Sequence, residues 1–331
     1  TPIECSILNE KIEYVKNDLL SYILSFRTEY QNSNITSDIT LYYDISELGW
    51  AMYLSAHLNY LFKRGKRIGI ICNPDREILY RNCTNVILPF PETFKEKYKN
   101  YLSDGNCLYN PVSNERLRNQ SLISFLLKQE YPQFKINTVY SKFENEREFS
   151  QYRHSNDAEL HILKLLSNQK CILIFPRYRT SKFQCRNISK HIWDDILVKT
   201  CNQFPDYKIV AVGSKQESYT FNIKNSNFID LVNYDDVKTF DILIAILNLN
   251  KAICSIGSQS ALVKISLLHK TPAYIIGDER NRHVNEENWM KTPCQFWKAR
   301  STSSGYEIQN QYELIMDILS FINTYSDLDK D

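Results

Sequence analysis

The chain has 331 residues, 43% of them hydrophobic and 24% charged, with a formal net charge of +2. That length is about twice a typical domain and the composition is that of a globular protein, so two packed domains are expected. The near-neutral charge speaks against a dedicated nucleic-acid binder.

Nine cysteines are scattered without CxxC or Cys/His ligand spacing. This pattern reads as reduced thiols in an intracellular, cytoplasmic protein rather than a disulfide framework. No apolar run reaches the ~18–20 residues of a membrane span, and the charged N-terminal stretch lacks a signal-peptide core.

In chain order, residues 1–30 carry an amphipathic helical pattern, with Ile12, Val15, Leu19, Leu20, Ile23 and Leu24 on one face. A strand over 39–43 ends in the run DISELGW, and a helix follows from about Gly49 to Phe62. A second strand covers 66–72, a short helix 77–82 and a third strand 85–88. This alternation is the opening of a Rossmann-like sheet. Residues 92–152 are less regular, with helical runs at 94–101 and 121–129. The polar, highly charged stretch 144–154 marks the domain boundary. A second alternation starts at Asp157: helix to Leu166, strand 171–175, helix 189–203, strand 208–212, strand 228–232, helix 236–249. The βαβ segment 251–277 follows, then an amphipathic helix from Tyr306 to about Tyr325.

The expected class is therefore α/β, two Rossmann-like domains facing an interdomain cleft. The domains run 1–155 and 156–305, with the 306–325 helix packing back toward the first and 326–331 a solvated tail. Ligands of open α/β sheets bind outside the carboxyl ends of the strands.

Three stretches have chemistry suited to that place. The segment SIGSQS (255–260) reads as a strand breaking at Gly257-Ser258 into a turn that opens a helix. Its amides and small hydroxyls favour an anion, with phosphate or diphosphate the obvious guest; a plainer reading makes Ser258 a helix N-cap with no ligand. The loop after strand CILIF holds Arg177, Arg179, Lys182 and Arg186. Arginine suits bidentate phosphate contact and Lys182 adds a point charge, or the loop is simply solvated. In DISELGW, Asp44 and Glu47 are candidate general bases for an acceptor hydroxyl. Helix-capping and dipole roles stand beside that reading. Glu279, Arg280, Arg282, His283 and Glu286 follow the last strand of the second domain, within reach of a donor's ribose or sugar. His57 and His269 read as structural or exposed. Walker, GxGxxG, GxSxG and HExxH patterns are absent, and no DxD metal motif falls at a strand end.

With IFPRYR, VAVGS (Gly213 and Ser214) and SIGSQSA (Gly257, Ser258, Gln259 and Ser260) at three strand ends, the C-terminal half resembles GT-B glycosyltransferases, most closely the ADP-heptose:lipopolysaccharide heptosyltransferase group. In that group these places bind the nucleotide sugar, and the first strand-to-helix turn carries the proposed base. The group's Asp-Ser-Gly-Pro-x-His run is here Ser255 to Ser260, with neither the Asp nor the His.

The resemblance implies a metal-independent, inverting glycosyltransferase with no cofactor beyond its nucleotide-sugar donor. The acceptor would be a glycan or lipid-linked. Peripheral membrane contact is open and nucleic acid is not a partner. Donor contacts would be Arg177, Arg179, Lys182, Gly213, Ser214, residues 257–260 and Glu279, with Glu47 or Asp44 as base. Two alternatives share the scaffold: a sugar-nucleotide 2-epimerase-like or polysaccharide-modifying enzyme, and a non-catalytic sugar-nucleotide or glycan-binding protein.

Overall fold

The computed structural model describes residues 39–44, 48–72, 74–89, 135–136, 146–180, 184–232, 234, 236–278 and 291–328. The helix read over 1–30 and the helical runs at 94–101 and 121–129 lie outside them. The chain divides into two compact units, Thr1–Ser150 and Gln151–Asp331.

The first unit is built on β1 (Thr40–Asp44), α1 (Leu48–Phe62), β2 (Ile68–Cys72), β3 (Val86–Pro89) and β4 (Lys135–Ile136). Among the described residues its strands lie in the order β3-β2-β1-β4, all parallel. Every residue of β2 is buried, as expected of a central parallel strand covered on both faces. The short helix read over 77–82 is a 3₁₀ helix at Pro74–Leu79, which starts on the proline because its fixed φ suits a first turn. Residues 146–149 run along α1: Glu148 N–H donates to Ala56 O at 3.0 Å, His57 Nδ1 to Glu146 O at 2.9 Å, and Asn59 Nδ2 to Glu148 O at 2.7 Å. His57 is thus a structural histidine.

The second unit contains α2 (Asn156–Leu166), β5 (Cys171–Phe175), α3 (Lys190–Gln203), β6 (Lys208–Ala211), β7 (Phe228–Asp230), α4 (Asp236–Asn248), β8 (Ala252–Ser258), α5 (Ala261–Leu268), β9 (Ala273–Gly277), β10 (Cys294–Lys298), the small pair β11 (Arg300–Ser301) and β12 (Tyr306–Glu307), and α6 (Gln311–Leu328). Six parallel strands lie in the order β10-β9-β8-β5-β6-β7. This is the doubly wound order, in which the first strand sits at the centre and later strands add on both sides.

Alternate residues of the central strands, Ile172 and Ile174, Cys254 and Ile256, Tyr274 and Ile276, join one core with α3 and α6. Trp193, Ile196, Leu197, Leu314, Ile318 and Ile322 are all 0% exposed there. Each such side chain contributes about 1.5–3 kcal/mol of burial free energy. The apolar stripe of the last helix packs on its own unit's sheet. That helix also runs to Leu328, past the 325 read as its end, while Tyr306–Glu307 is strand.

Residues 151–155 belong to this unit because they are bonded into it. Ser155 accepts from Ala158 N–H as the N-cap of α2, and its own N–H and hydroxyl donate to Asp241 of α4 at 2.9 and 2.6 Å. Tyr152 N–H donates to His269 Nε2 at 3.2 Å, so His269 Nδ1 carries the proton and donates to Asn248 Oδ1 at 2.8 Å. Asn248 Nδ2 donates in turn to Tyr152 O and His154 Nδ1, both at 2.9 Å, and His154 Nε2–H faces Glu159 at 3.2 Å. In this order His269 is a neutral acceptor. Burial, with His154 nearby, pulls its pKa from 6.5 down to about 4.

A base whose folded pKa is depressed stabilises the fold above its unfolded pKa and loses that contribution as pH falls toward the folded one. His269 should therefore cost about 3 kcal/mol of stability between pH 6.5 and 4. In urea titrations across that window, His269→Gln should be less stable than the native chain at pH 7 but show a shallower acid loss. Equal acid slopes for the two would rule out this role for His269.

Candidate functional site

The strand order reverses between β5 and β8, because β6 and β7 add on one side of the pair and β9 and β10 on the other. At that switch point Phe175 is the register partner of Gly257. The two strands are parallel, so the loop beginning Pro176-Arg177 and the segment Ser258-Gln259-Ser260 leave the same edge of the sheet. The PRYR and SIGSQS motifs are thus neighbours at a carboxyl edge.

Strand β8 does not break at Gly257-Ser258; it continues through Ser258, and Ser260, not Ser258, is the N-cap residue of α5. Glycine is needed at 257 for space. A Cβ there would lie 2.8 Å from Val263 Cγ2 and 3.1 Å from Phe175 Cβ, so only a bare backbone lets α5 pack against the strand end. Ser258 and Gln259 are both 0% exposed. The Ser258 and Ser260 hydroxyl oxygens are buried and meet no hydrogen-bond partner among the described residues. Such orphans are uncommon in folded proteins and call for an explanation. Here they sit at a helix N-terminus, whose amides and dipole suit an anion.

Gln259 is turned elsewhere. Its side chain lies over Gly277, with Cγ and Cδ at 2.4 Å from where a Cβ would stand, and its Oε1 accepts from Tyr306 O–H at 2.8 Å and Asp278 N–H at 3.2 Å. Burial, then the Asp278 carboxylate, push the Tyr306 phenol up, so it remains a donor. Gln259 ties the ends of β8 and β9 to β12, which gives its side chain a structural role.

The cationic loop is braced by the loop after β6. Arg177 forms an antiparallel bridge with Ser218, Tyr178 N–H donates to Glu217 O at 2.8 Å, and Tyr219 N–H donates to Pro176 O at 2.9 Å. The Tyr178 and Tyr219 rings stack with centroids 4.5 Å apart. Arg179 is set by its neighbours: its N–H donates to Asn187 Oδ1 at 2.9 Å, its carbonyl accepts from Asn187 Nδ2 at 2.7 Å, and its Nη2 meets Glu217 Oε2 at 2.7 Å. Gly213 and Ser214 shape the second loop. A Cβ at 213 would fall 2.0 Å from Ser218 Oγ, and Ser214 accepts the Glu217 N–H through both its carbonyl (3.1 Å) and its hydroxyl (3.2 Å). Asn187 and Glu217 were missed in the sequence. Asn187 opens only an N-x-S triplet and Glu217 belongs to no motif, and the pairing of two loops is what gives them a role.

No protein-family description and no curated sequence matches the chain. Among solved structures, E. coli ADP-heptose lps heptosyltransferase II aligns with a TM-score of 0.56 at 12% identity, over 89% of this chain and 100% of that one. The glycosyl transferase family 9 protein from Veillonella parvula aligns with a TM-score of 0.51 at 8% identity, over 87% and 92%. The fold is GT-B.

In this GT-B chain Asp44, at the end of β1, is 1% exposed and accepts from Tyr80 O–H at 2.6 Å. It anchors the strand end to the residue just after the 3₁₀ helix and does not present itself to solvent. Glu47, Lys182 and Glu279, with Arg280, Arg282, His283 and Glu286, lie outside the described residues. Among the described residues no group of three or more His, Cys, Asp or Glu could hold a metal, and no helix is long and apolar enough to cross a membrane.

The orphaned hydroxyl gives a test of the site's design. Replacing an unsatisfied buried hydroxyl by hydrogen removes no native bond and can be neutral or stabilising. Ser258→Ala should keep urea stability within about 0.5 kcal/mol of the native value, or raise it. A loss of more than about 1 kcal/mol would show that Ser258 Oγ has a protein partner.

Proposed function

We propose that the protein is a metal-independent, inverting glycosyltransferase acting in the cytoplasm, which moves a sugar from a nucleotide-activated donor onto a glycan or lipid-linked acceptor. The observation that carries this reading is the meeting of two features at the β5–β8 switch point. The partnerless hydroxyls of Ser258 and Ser260 lie at a helix N-terminus, and a braced arginine loop leaves the adjacent strand. Hydroxyls, helix amides and guanidinium groups are together the donor set that a diphosphate accepts from. A set at the carboxyl ends of a doubly wound sheet lies where open α/β sheets bind their ligands, which supports this reading.

As the glycosidic carbon–oxygen bond of the donor breaks, negative charge gathers on the leaving phosphate. Arg177, Arg179 and Lys182, with the α5 N-terminus, would hold that charge in fixed positions, so no solvent need reorganise during the step. Glu47 would take the proton of the acceptor hydroxyl as that oxygen attacks the opposite face of the sugar. Asp44, buried against Tyr80, would hold the strand end from which the DISELGW turn departs. Ser255 to Ser260 offer no acidic or imidazole group where the heptosyltransferase run has Asp and His, which speaks against ADP-heptose as the donor.

A thermal-shift series with ADP, UDP, GDP and CMP should single out one nucleotide that raises Tm, since a ligand at a hundredfold excess over Kd adds ~2.7 kcal/mol by mass action. No shift with any of the four would defeat the reading. Arg179→Ala should lower kcat/KM by at least ~10²-fold, the scale of a lost charge-stabilising donor. Unchanged turnover would remove Arg179 from the leaving-group site.

A further inference from the structure

Glu217 grips the cationic loop twice. Its carbonyl accepts the Tyr178 N–H at 2.8 Å, and its carboxylate meets Arg179 Nη2 at 2.7 Å. Its own N–H is fixed by Ser214, through the carbonyl at 3.1 Å and the hydroxyl at 3.2 Å. The carboxylate therefore projects from a pinned turn and is not a loose surface acid. Asn187 meanwhile clamps both backbone groups of Arg179. Asn187 is held in turn by Tyr306 N–H, which donates to its carbonyl at 2.7 Å, and by the close approach of Gly305. Gly305 has φ +152°, a region that suits glycine.

We propose that Glu217 is a positioning residue for Arg179, holding its guanidinium in the orientation in which a diphosphate meets it. The inference rests on the reading of Arg179 as a diphosphate contact. An arginine side chain carries about 2 kcal/mol of rotamer entropy. A guanidinium already fixed by a carboxylate forfeits less of that on binding, because the ordering cost is met during folding. The planar guanidinium has five N–H donors, so a carboxylate at Nη2 and a phosphate can be served from different edges. The burial of the pair is asymmetric: the Arg179 side chain is 16% exposed and that of Glu217 45%. Removing the carboxylate therefore opens no cavity in the core, and the backbone bonds of residue 217 remain.

The test is a double-mutant cycle on the full chain, with inorganic pyrophosphate and ADP as probes in titration calorimetry. Arg179→Ala should weaken both probes. Glu217→Ala should weaken them about fivefold, the scale of a partly screened ion pair, and should change Kd by less than about twofold in the Arg179→Ala background. Equal weakening in both backgrounds would mean that Glu217 touches the ligand or merely supports the loop. Tighter binding by Glu217→Ala would mean that it competes with the ligand for Arg179. Either result overturns the proposal. If Arg179→Ala leaves binding unchanged, the reading of the site fails and this inference with it. If Glu217→Ala lowers Tm, the isosteric Glu217→Gln carries the same cycle, with a smaller loss expected and the same two overturning patterns.

Discussion

Phe175 and Gly257 lie side by side at the carboxyl ends of β5 and β8, and from this pair the chain departs in opposite senses. The helix after β5 joins α6 on one face of the sheet, while α5, after β8, packs on the other against the strand end at Gly257. Right-handed crossovers make that divergence obligatory once strands are added on both sides of a central pair. Diverging connections cannot cover the edge between them. Among the described residues the sheet thus has a place where backbone amides, a helix terminus and a loop converge. Everything assigned to the site follows from this: the glycine that lets α5 approach, the two hydroxyls at its start, and the cationic loop beside them.

The loop is held by means that differ from those of the core. Burial of Trp193 and the isoleucines around it stabilises the sheet without regard to direction, whereas the PRYR segment is fixed by directional bonds. Asn187 provides a donor and an acceptor to the two backbone groups of Arg179, reproducing in one side chain the pair of bonds a neighbouring strand would give. Ser218 and Tyr219 extend the sheet-like pairing past the end of β5. A loop at a strand end would otherwise be free to move, and a charge on it would be poorly placed for a ligand.

Much of this was legible in the sequence, and the exceptions have physical causes. Buried parallel strands are continuous apolar runs, so CILIF and AYIIG announce themselves, and the helix between Ser260 and His269 follows from its apolar spacing. Gly257-Ser258 reads as a break because glycine usually marks one. What the glycine answers is the proximity of Phe175, eighty-two positions away, which no local pattern encodes. Gln259 looks like a ligand contact in a polar turn, yet it is buried because Gly277 leaves room for its amide. Asp44 looks like a base at a strand end, but Tyr80 reaches it from beyond β2. The short strand Cys294–Lys298 mixes polar and aromatic residues, and its partner β9 is what makes it a strand. In each case the deciding contact is long-range.

The distribution of charge across the site fixes which part of it must be rigid. The β8 end contributes only neutral groups from Ser255 to Ser260, whose hydroxyls and amides hold an anion through directional, short-range contacts. Among the described residues proposed as donor contacts, the full positive charge is that of Arg177 and Arg179 in the loop after β5. A neutral cradle can tolerate small displacements, since several donors share the anion. A guanidinium acts through one fork, whose benefit falls quickly with misalignment. That asymmetry accounts for the density of bonds around Arg179 and the sparseness of bonds at Ser258 and Ser260. On the proposed function, the cradle is left open to be completed by the donor, while the cation is fixed before the donor arrives.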